Sequence, residues 1–174
     1  MTEEQVILVD EHDNEIGLME KMQVHREGRL HRAFSVFLFN YKGEVLLQQR
    51  AFDKYHCGGL WTNTCCSHPR KGESLQQAVN RRLQEELGIS CETEEVHSFI
   101  YKADVGEGLI EHEYDHVFVG KFSGIPQPNT AEIADWKYVN LDFLREDIEA
   151  NPQLYTPWFR IILDNFDVNY LKKG

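Results

Sequence analysis

Residues 67–89 read "SHPRKGESLQQAVNRRLQEELGI", and both the fold and the chemistry of the chain turn on this stretch. The run from Glu73 to Gly88 predicts one helix, with Gly88 placed as its stop. At 100° per residue, Leu75, Val79 and Leu83 make an apolar stripe with Ala78 at its edge. Arg82 and Glu86 fall inside that stripe, one turn apart. An i,i+4 ion pair is ordinary on a solvated face. This face should be buried, where unpaired charge is expensive. The pattern therefore favours a polar pocket under the helix, suited to a metal and an anion, over a simple surface pair.

Just upstream, "TNTCCSHP" (62–69) sets Cys65 beside Cys66, with His68 two residues on. Neighbouring cysteines seldom meet disulfide geometry. None of the four cysteines (Cys57, Cys65, Cys66, Cys91) forms a CxxC pair, and their density is not that of a secreted scaffold. A reduced, cytoplasmic chain is expected. Downstream, "IEHEYDHVFV" places Glu111, Glu113 and Asp115 on one face of a strand, followed by Val117 and Val119. This reads either as a strand leaving a site for the core or as an edge strand decorated with acids against mispairing. His25, His31 and His68 can meet Glu111 and Glu113 in a mixed nitrogen and oxygen shell suited to zinc, manganese or a related divalent ion, although no HxH or HExxH spacing marks them.

The rest of the chain sets the frame. Its 174 residues suit a single domain, 1–174, and a net charge of −11 argues against general binding of nucleic acid or anionic membrane. An anionic ligand would need a local basic cluster working against that field. The acidic N-terminus, with apolar residues only from Val6 to Val9, reads as neither a signal peptide nor a membrane span. Residues 6–17 predict a strand and turn, and 18–31 a polar connection. "AFSVFLFN" and "VLLQQR" form a hairpin across a glycine-containing turn. Residues 97–104, 111–122 and 132–140 predict strands, 141–150 a helix after Asn140, and 156–166 a helix with Thr156 as cap and Pro157 first. The fold class is α+β, or mixed α/β, with a mixed sheet between helices.

The opening stretch resembles the Nudix box, with Glu73, Arg81, Leu83, Glu85, Glu86, Gly88 and Ile89 in its pattern. Ser67 replaces its first glycine, and Arg82 replaces a glutamate that serves magnesium in the hydrolases of that superfamily. "EKMQVH", "RLHRAFSVFLFN", "LLQQRA", "LWTNTCCSHP", "RRLQEELG", "EHEYDHV" and "TPW" together resemble the type 1 isopentenyl diphosphate isomerases, in that family's order. The resemblance implies a Nudix-like sandwich with an N-terminal extension, and a 1,3 proton shift between isopentenyl and dimethylallyl diphosphates. It makes Cys66 and Glu113 the acid/base pair, Tyr101 the support of the glutamate and Trp158 the face toward a carbocation. Lys21, Arg50, Lys54 and Arg82 become the diphosphate contacts.

By the same resemblance, His25, His31, His68, Glu111 and Glu113 hold one metal (manganese, zinc or magnesium), and Glu86 joins the diphosphate in binding Mg2+. Cys65 is expected to be a small loop residue without chemistry. The N-terminal segment is expected to fold over the site, and the protein to be a monomer or weak oligomer. Two rivals follow from the same residues. A Nudix hydrolase of a diphosphate would want the glutamate that Arg82 replaces, and a non-enzymatic domain would use the His/Cys/Glu cluster as a structural zinc site.

Overall fold

The computed structural model describes residues 4–54 and 56–165. Nine strands form one mixed sheet: β1 (Gln5–Val9), β2 (Glu15–Glu20), β3 (His31–Phe39), β4 (Val45–Arg50), β5 (Trp61–Thr62), β6 (Cys65–Ser67), β7 (Thr93–Asp104), β8 (Ile110–Lys121) and β9 (Ile133–Val139). The helices are α1 (Lys21–Glu27), α2 (Leu75–Leu87), α3 (Leu141–Ala150) and α4 (Pro157–Asn165). The mixed α/β architecture predicted from sequence is the one observed. The end of the last predicted helix, Phe166, lies outside the described residues.

β3 organises the sheet. It runs parallel to β8 over its whole length, from His31 opposite Glu113 to Phe39 opposite Lys121. On its other side it meets β6 antiparallel, with Ser35 opposite Cys66. The predicted β3–β4 hairpin exists only at its turn, where Phe39 faces Val45. Beyond it the strands diverge, β4 taking β9 and β5 as partners. The short segments at 61–62 and 65–67 pair as strands, although neither run is long enough for a periodicity to show. Residues 18–31 are not a polar connection. They supply the end of β2, all of α1 and the first residue of β3, because Glu20 caps α1 through Met22 N and Gln23 N.

Alternation along β3 divides the core. Phe37 and Phe39 pack with Val117, Val119 and the α3–α4 side, including Trp158 and Phe159. Phe34, Val36 and Leu38 pack with Ala78, Val79, Leu83 and Leu87 of α2. A capping box of Ser74 and Gln77 starts α2. Gly88 ends it in the left-handed conformation at φ 64°.

Candidate active site

The two faces of the sheet explain the adjacent cysteines. Successive residues of a strand point to opposite sides, so Cys65 enters the α2 layer and Cys66 faces the α4 layer. Cys65 is not a passive loop residue: its Sγ donates to Glu86 Oε2 at 3.0 Å. Gln48 Nε2 reaches the other oxygen at 3.4 Å. The Cys66 thiol donates to Asn63 Oδ1 at 2.9 Å and lies 3.7 Å from Ser35 Oγ. The Asn63 amide is itself oriented, because its nitrogen donates to the carbonyls of Val36 and Cys65, both at 3.0 Å. Burial, reinforced by Asp115, pushes the Cys66 thiol up to about 12, so it stands as a thiol. All four cysteines are free.

β8 is interior, held between β3 and β7, so its acids are not decoration of an edge. Glu111, Glu113 and Asp115 are all buried on one face, and Val117 and Val119 continue that face into the core. His31 Nε2 and His68 Nε2 lie 3.2 and 3.0 Å from Glu113 Oε2. The Tyr101 hydroxyl donates to Glu113 Oε1. Burial works to raise the Glu113 carboxyl, but His31 and His68 outweigh it and hold the group well below the usual carboxylate range. Asp115 has a different partner. Its contact is the Ser35 hydroxyl, at 2.8 and 3.1 Å, and burial together with Glu113 drives it well up.

A nest of imidazoles surrounds these acids. His25 Nδ1 donates to the Lys21 carbonyl at 2.7 Å, and His31 Nδ1 to the Arg29 carbonyl at 3.0 Å, because a carbonyl can only accept. In the neutral rings the lone pair is therefore on Nε2, which in each case faces a carboxylate oxygen. A backbone carbonyl that accepts from one ring nitrogen, leaving the lone pair on the other, is the support that metal-ligating histidines use. His31, His68, Glu111 and Glu113 bring ligand atoms within 4.8 Å of one another, and so do His25, His56 and Glu111. The donor set thus fits a divalent cation. His56 was not among the sequence candidates. It sits in a loop without periodicity, and only the fold delivers it, 2.9 Å from Glu111 Oε1.

A cavity of 540 Å³ opens beside the nest. Cys66, His56, His68, Glu111, Glu113 and Trp158 line one part, and Lys21, Arg50, Lys54, Arg82 and Glu86 line another. The four predicted basic residues therefore converge. Arg70, Lys71 and Arg81 add to them, along with Glu4 and Gln5 of the N-terminal segment. Tyr101, His25 and His31 stand behind the wall rather than on it.

Arg82 satisfies both readings of its helix face: it pairs with Glu86 at 3.4 Å, and also with Glu85 at 2.8 Å and Glu132 at 3.0 Å, at the edge of the cavity. Burial raises the Glu86 carboxyl despite Arg82. Burial and the neighbouring Arg50 lower Lys54. Arg50 lies over the Trp158 ring, 5.1 Å from its centroid. Arg81 grips Glu73 with two bonds of 2.7 and 3.0 Å, which fixes the loop entering α2.

Comparison with known proteins agrees with this geometry. Residues 29–159 match the NUDIX domain model. The chain is 52% identical over 162 residues to an isopentenyl-diphosphate Delta-isomerase 2 of Photorhabdus laumondii, covering 93% of this chain and 92% of that one. It is 49% identical over 171 residues to an isopentenyl-diphosphate Delta-isomerase of Serratia proteamaculans, covering 98% and 96%. Among solved structures, DR0079 from Deinococcus radiodurans superposes with a TM-score of 0.78 at 18% identity, covering 97% of this chain and 99% of that one, a likeness of fold.

Proposed function

The chain belongs to the isopentenyl-diphosphate Delta-isomerase family, built on the Nudix fold, and from that premise we propose how its cavity works. The protein is an isomerase that interconverts isopentenyl diphosphate and dimethylallyl diphosphate, supplying isoprenoid biosynthesis. A proton added to the terminal alkene carbon leaves a tertiary cation, and loss of a proton two carbons away restores the double bond one position along. Two positioned groups are needed. The observation that carries the reading is that Cys66 and Glu113 line one cavity from strands on either side of β3, burial raising the thiol while His31 and His68 lower the carboxyl.

Over a reversible cycle each of the two groups gives and takes a proton. The Tyr101 hydroxyl keeps its own proton, since burial and Glu113 raise it, and donates to the carboxylate. The indole of Trp158 offers a π face to the cation, an interaction worth about 2 kcal/mol or more when desolvated. Lys21, Arg50, Lys54 and Arg82 hold the diphosphate, with arginine suited to paired phosphate oxygens. His25, His31, His68, Glu111 and Glu113 would hold a divalent cation, manganese, zinc or magnesium, that fixes Glu113 and lowers its proton affinity. Glu86 would share Mg2+ with the diphosphate, whose charge that ion neutralises. The free thiols fit a reducing cytoplasm.

The test is proton NMR of isopentenyl diphosphate in D2O with the divalent cations present. Deuterated dimethylallyl diphosphate from the wild type, and none from Cys66→Ala, is expected. Release of phosphate or pyrophosphate from a panel of diphosphates, with the alkene unchanged, would make the protein a hydrolase instead. The ion pairs that hold Arg82 at the Nudix glutamate position speak against that outcome.

A further inference from the structure

Cys66 lines the cavity, but the groups that hold its sulfur do not. Asn63, Thr62 and Thr156 are buried behind it, and each proton in this cluster has one destination. The Asn63 nitrogen donates to the carbonyls of Val36 and Cys65, which can only accept, so Oδ1 is the atom turned toward Thr62 and Cys66. That oxygen takes the Thr62 hydroxyl and the Cys66 thiol, each at 2.9 Å. With its own proton committed to Asn63, the Thr62 oxygen accepts from the Thr156 hydroxyl at 3.0 Å. Thr156 Oγ1 in turn accepts from Phe159 N at 3.4 Å, in the first turn of α4, and Thr156 N donates to the Trp61 carbonyl at 3.0 Å. Ser35 Oγ, another acceptor near the thiol, stands at 3.7 Å, so distance assigns the thiol proton to Asn63.

On the isomerase reading, we propose that Asn63 is a positioning residue for the proton transfer: its amide holds the Cys66 sulfur in one rotamer, and Thr62 and Thr156 tie that rotamer to the helix that presents Trp158. A cysteine side chain on a cavity wall can turn about χ1 unless something fixes its sulfur. An amide locked by the Val36 and Cys65 carbonyls cannot flip, so it is a rigid acceptor. Rotation about Cβ–Sγ then carries the proton from Asn63 to the alkene carbon and leaves the sulfur in place for the return. Trp158 follows Thr156 and Pro157 at the start of α4, so the acid and the ring facing the cation are set by one buried chain of hydrogen bonds. A reacting group misplaced by about 1 Å costs on the order of 100-fold in rate.

The test joins the infrared S–H stretch of Cys66 to steady-state kinetics with isopentenyl diphosphate. The spectrum of the wild type minus that of Cys66→Ala isolates this thiol from the other cysteines. Its band is expected below that of an alkanethiol in an apolar solvent, as a hydrogen-bonded S–H requires, and this part holds even if no Asn63 variant folds. In Asn63→Ala, with its fold checked by circular dichroism, the band should rise to the alkanethiol frequency. In the same variant kcat should fall roughly 10- to 100-fold, with KM within about twofold because the basic cluster is untouched. A merely structural Asn63 would move neither the band nor kcat in folded protein. A wild-type band at the alkanethiol frequency, or a folded Asn63→Ala with kcat within twofold of wild type, overturns the positioning role. A wild type that does not isomerise overturns the function and this inference together, whereas an active wild type with either of those results overturns the inference alone.

Discussion

Replacing Tyr101 by phenylalanine keeps the ring, which packs against Phe99 at a centroid distance of 5.8 Å, and removes one donor from Glu113. Tyr101 does not line the cavity, so the change reaches the substrate only through the carboxylate. A hydrogen bond to a charged group contributes about 1.5–3 kcal/mol. Lost from a step in which Glu113 exchanges a proton, it lowers kcat roughly 10- to 150-fold. KM should hold within about twofold, because Lys21, Arg50, Lys54 and Arg82 are untouched. His31 and His68 still face the Glu113 carboxylate, so the fold should survive, with a fall in melting temperature of no more than roughly 12 °C. Steady-state kinetics with labelled isopentenyl diphosphate, alongside thermal melts, reads both quantities. A kcat within twofold of wild type, or a loss that simply follows unfolding, would refute the role given to the hydroxyl.

Cys65→Val removes the thiol donor at Glu86 while keeping apolar volume. It should raise the Mg2+ concentration for half-maximal activity about 5-fold or more, and an unchanged Mg2+ titration would show that Cys65 does not position Glu86. Chelation should lower the melting temperature and added Mn2+ or Zn2+ restore it, since a ligand at 100 times its Kd stabilises by about 2.7 kcal/mol. Equal melts with and without metal would count against the centre. The Tyr155 hydroxyl donates to Asp147, lowering Asp147, while burial and Asp147 raise Tyr155. The depressed Asp147 contributes stability that is present above the ordinary aspartate value of about 3.9 and lost as pH falls through its folded value. The raised Tyr155 contributes stability present below about 10 and lost as pH rises through its folded value. The melting difference between wild type and Tyr155→Phe should therefore be largest between these limits and shrink outside them. A difference flat from acid to alkali would contradict the assignment.

Composition and periodicity by themselves determined α2, its glycine stop, the strand character of β8 and the charges misplaced on both. Those are local properties: a 3.6-residue or two-residue repeat shows which side chains share a face, and a carboxylate on a core face has to be answered by something. The family resemblance supplied roles for Cys66, Glu113 and the basic cluster from motifs that the chain carries in order.

Other features depended on the tertiary structure. Strands of two or three residues, β5 and β6, have no period to read, yet their pairing sends Cys65 to Glu86 and Cys66 to Asn63. Whether β8 was an edge or an interior strand depended on β3 and β7, which lie far away along the chain on one side. His56 is a single imidazole in a loop, and no local pattern marks it. Its position beside Glu111, 55 residues later, is a long-range contact. The sequence by itself thus determined which groups needed partners, because hydrophobic periodicity and charge are local. The tertiary structure alone decided which partners they met, because distance in space is set by strand order and loop closure.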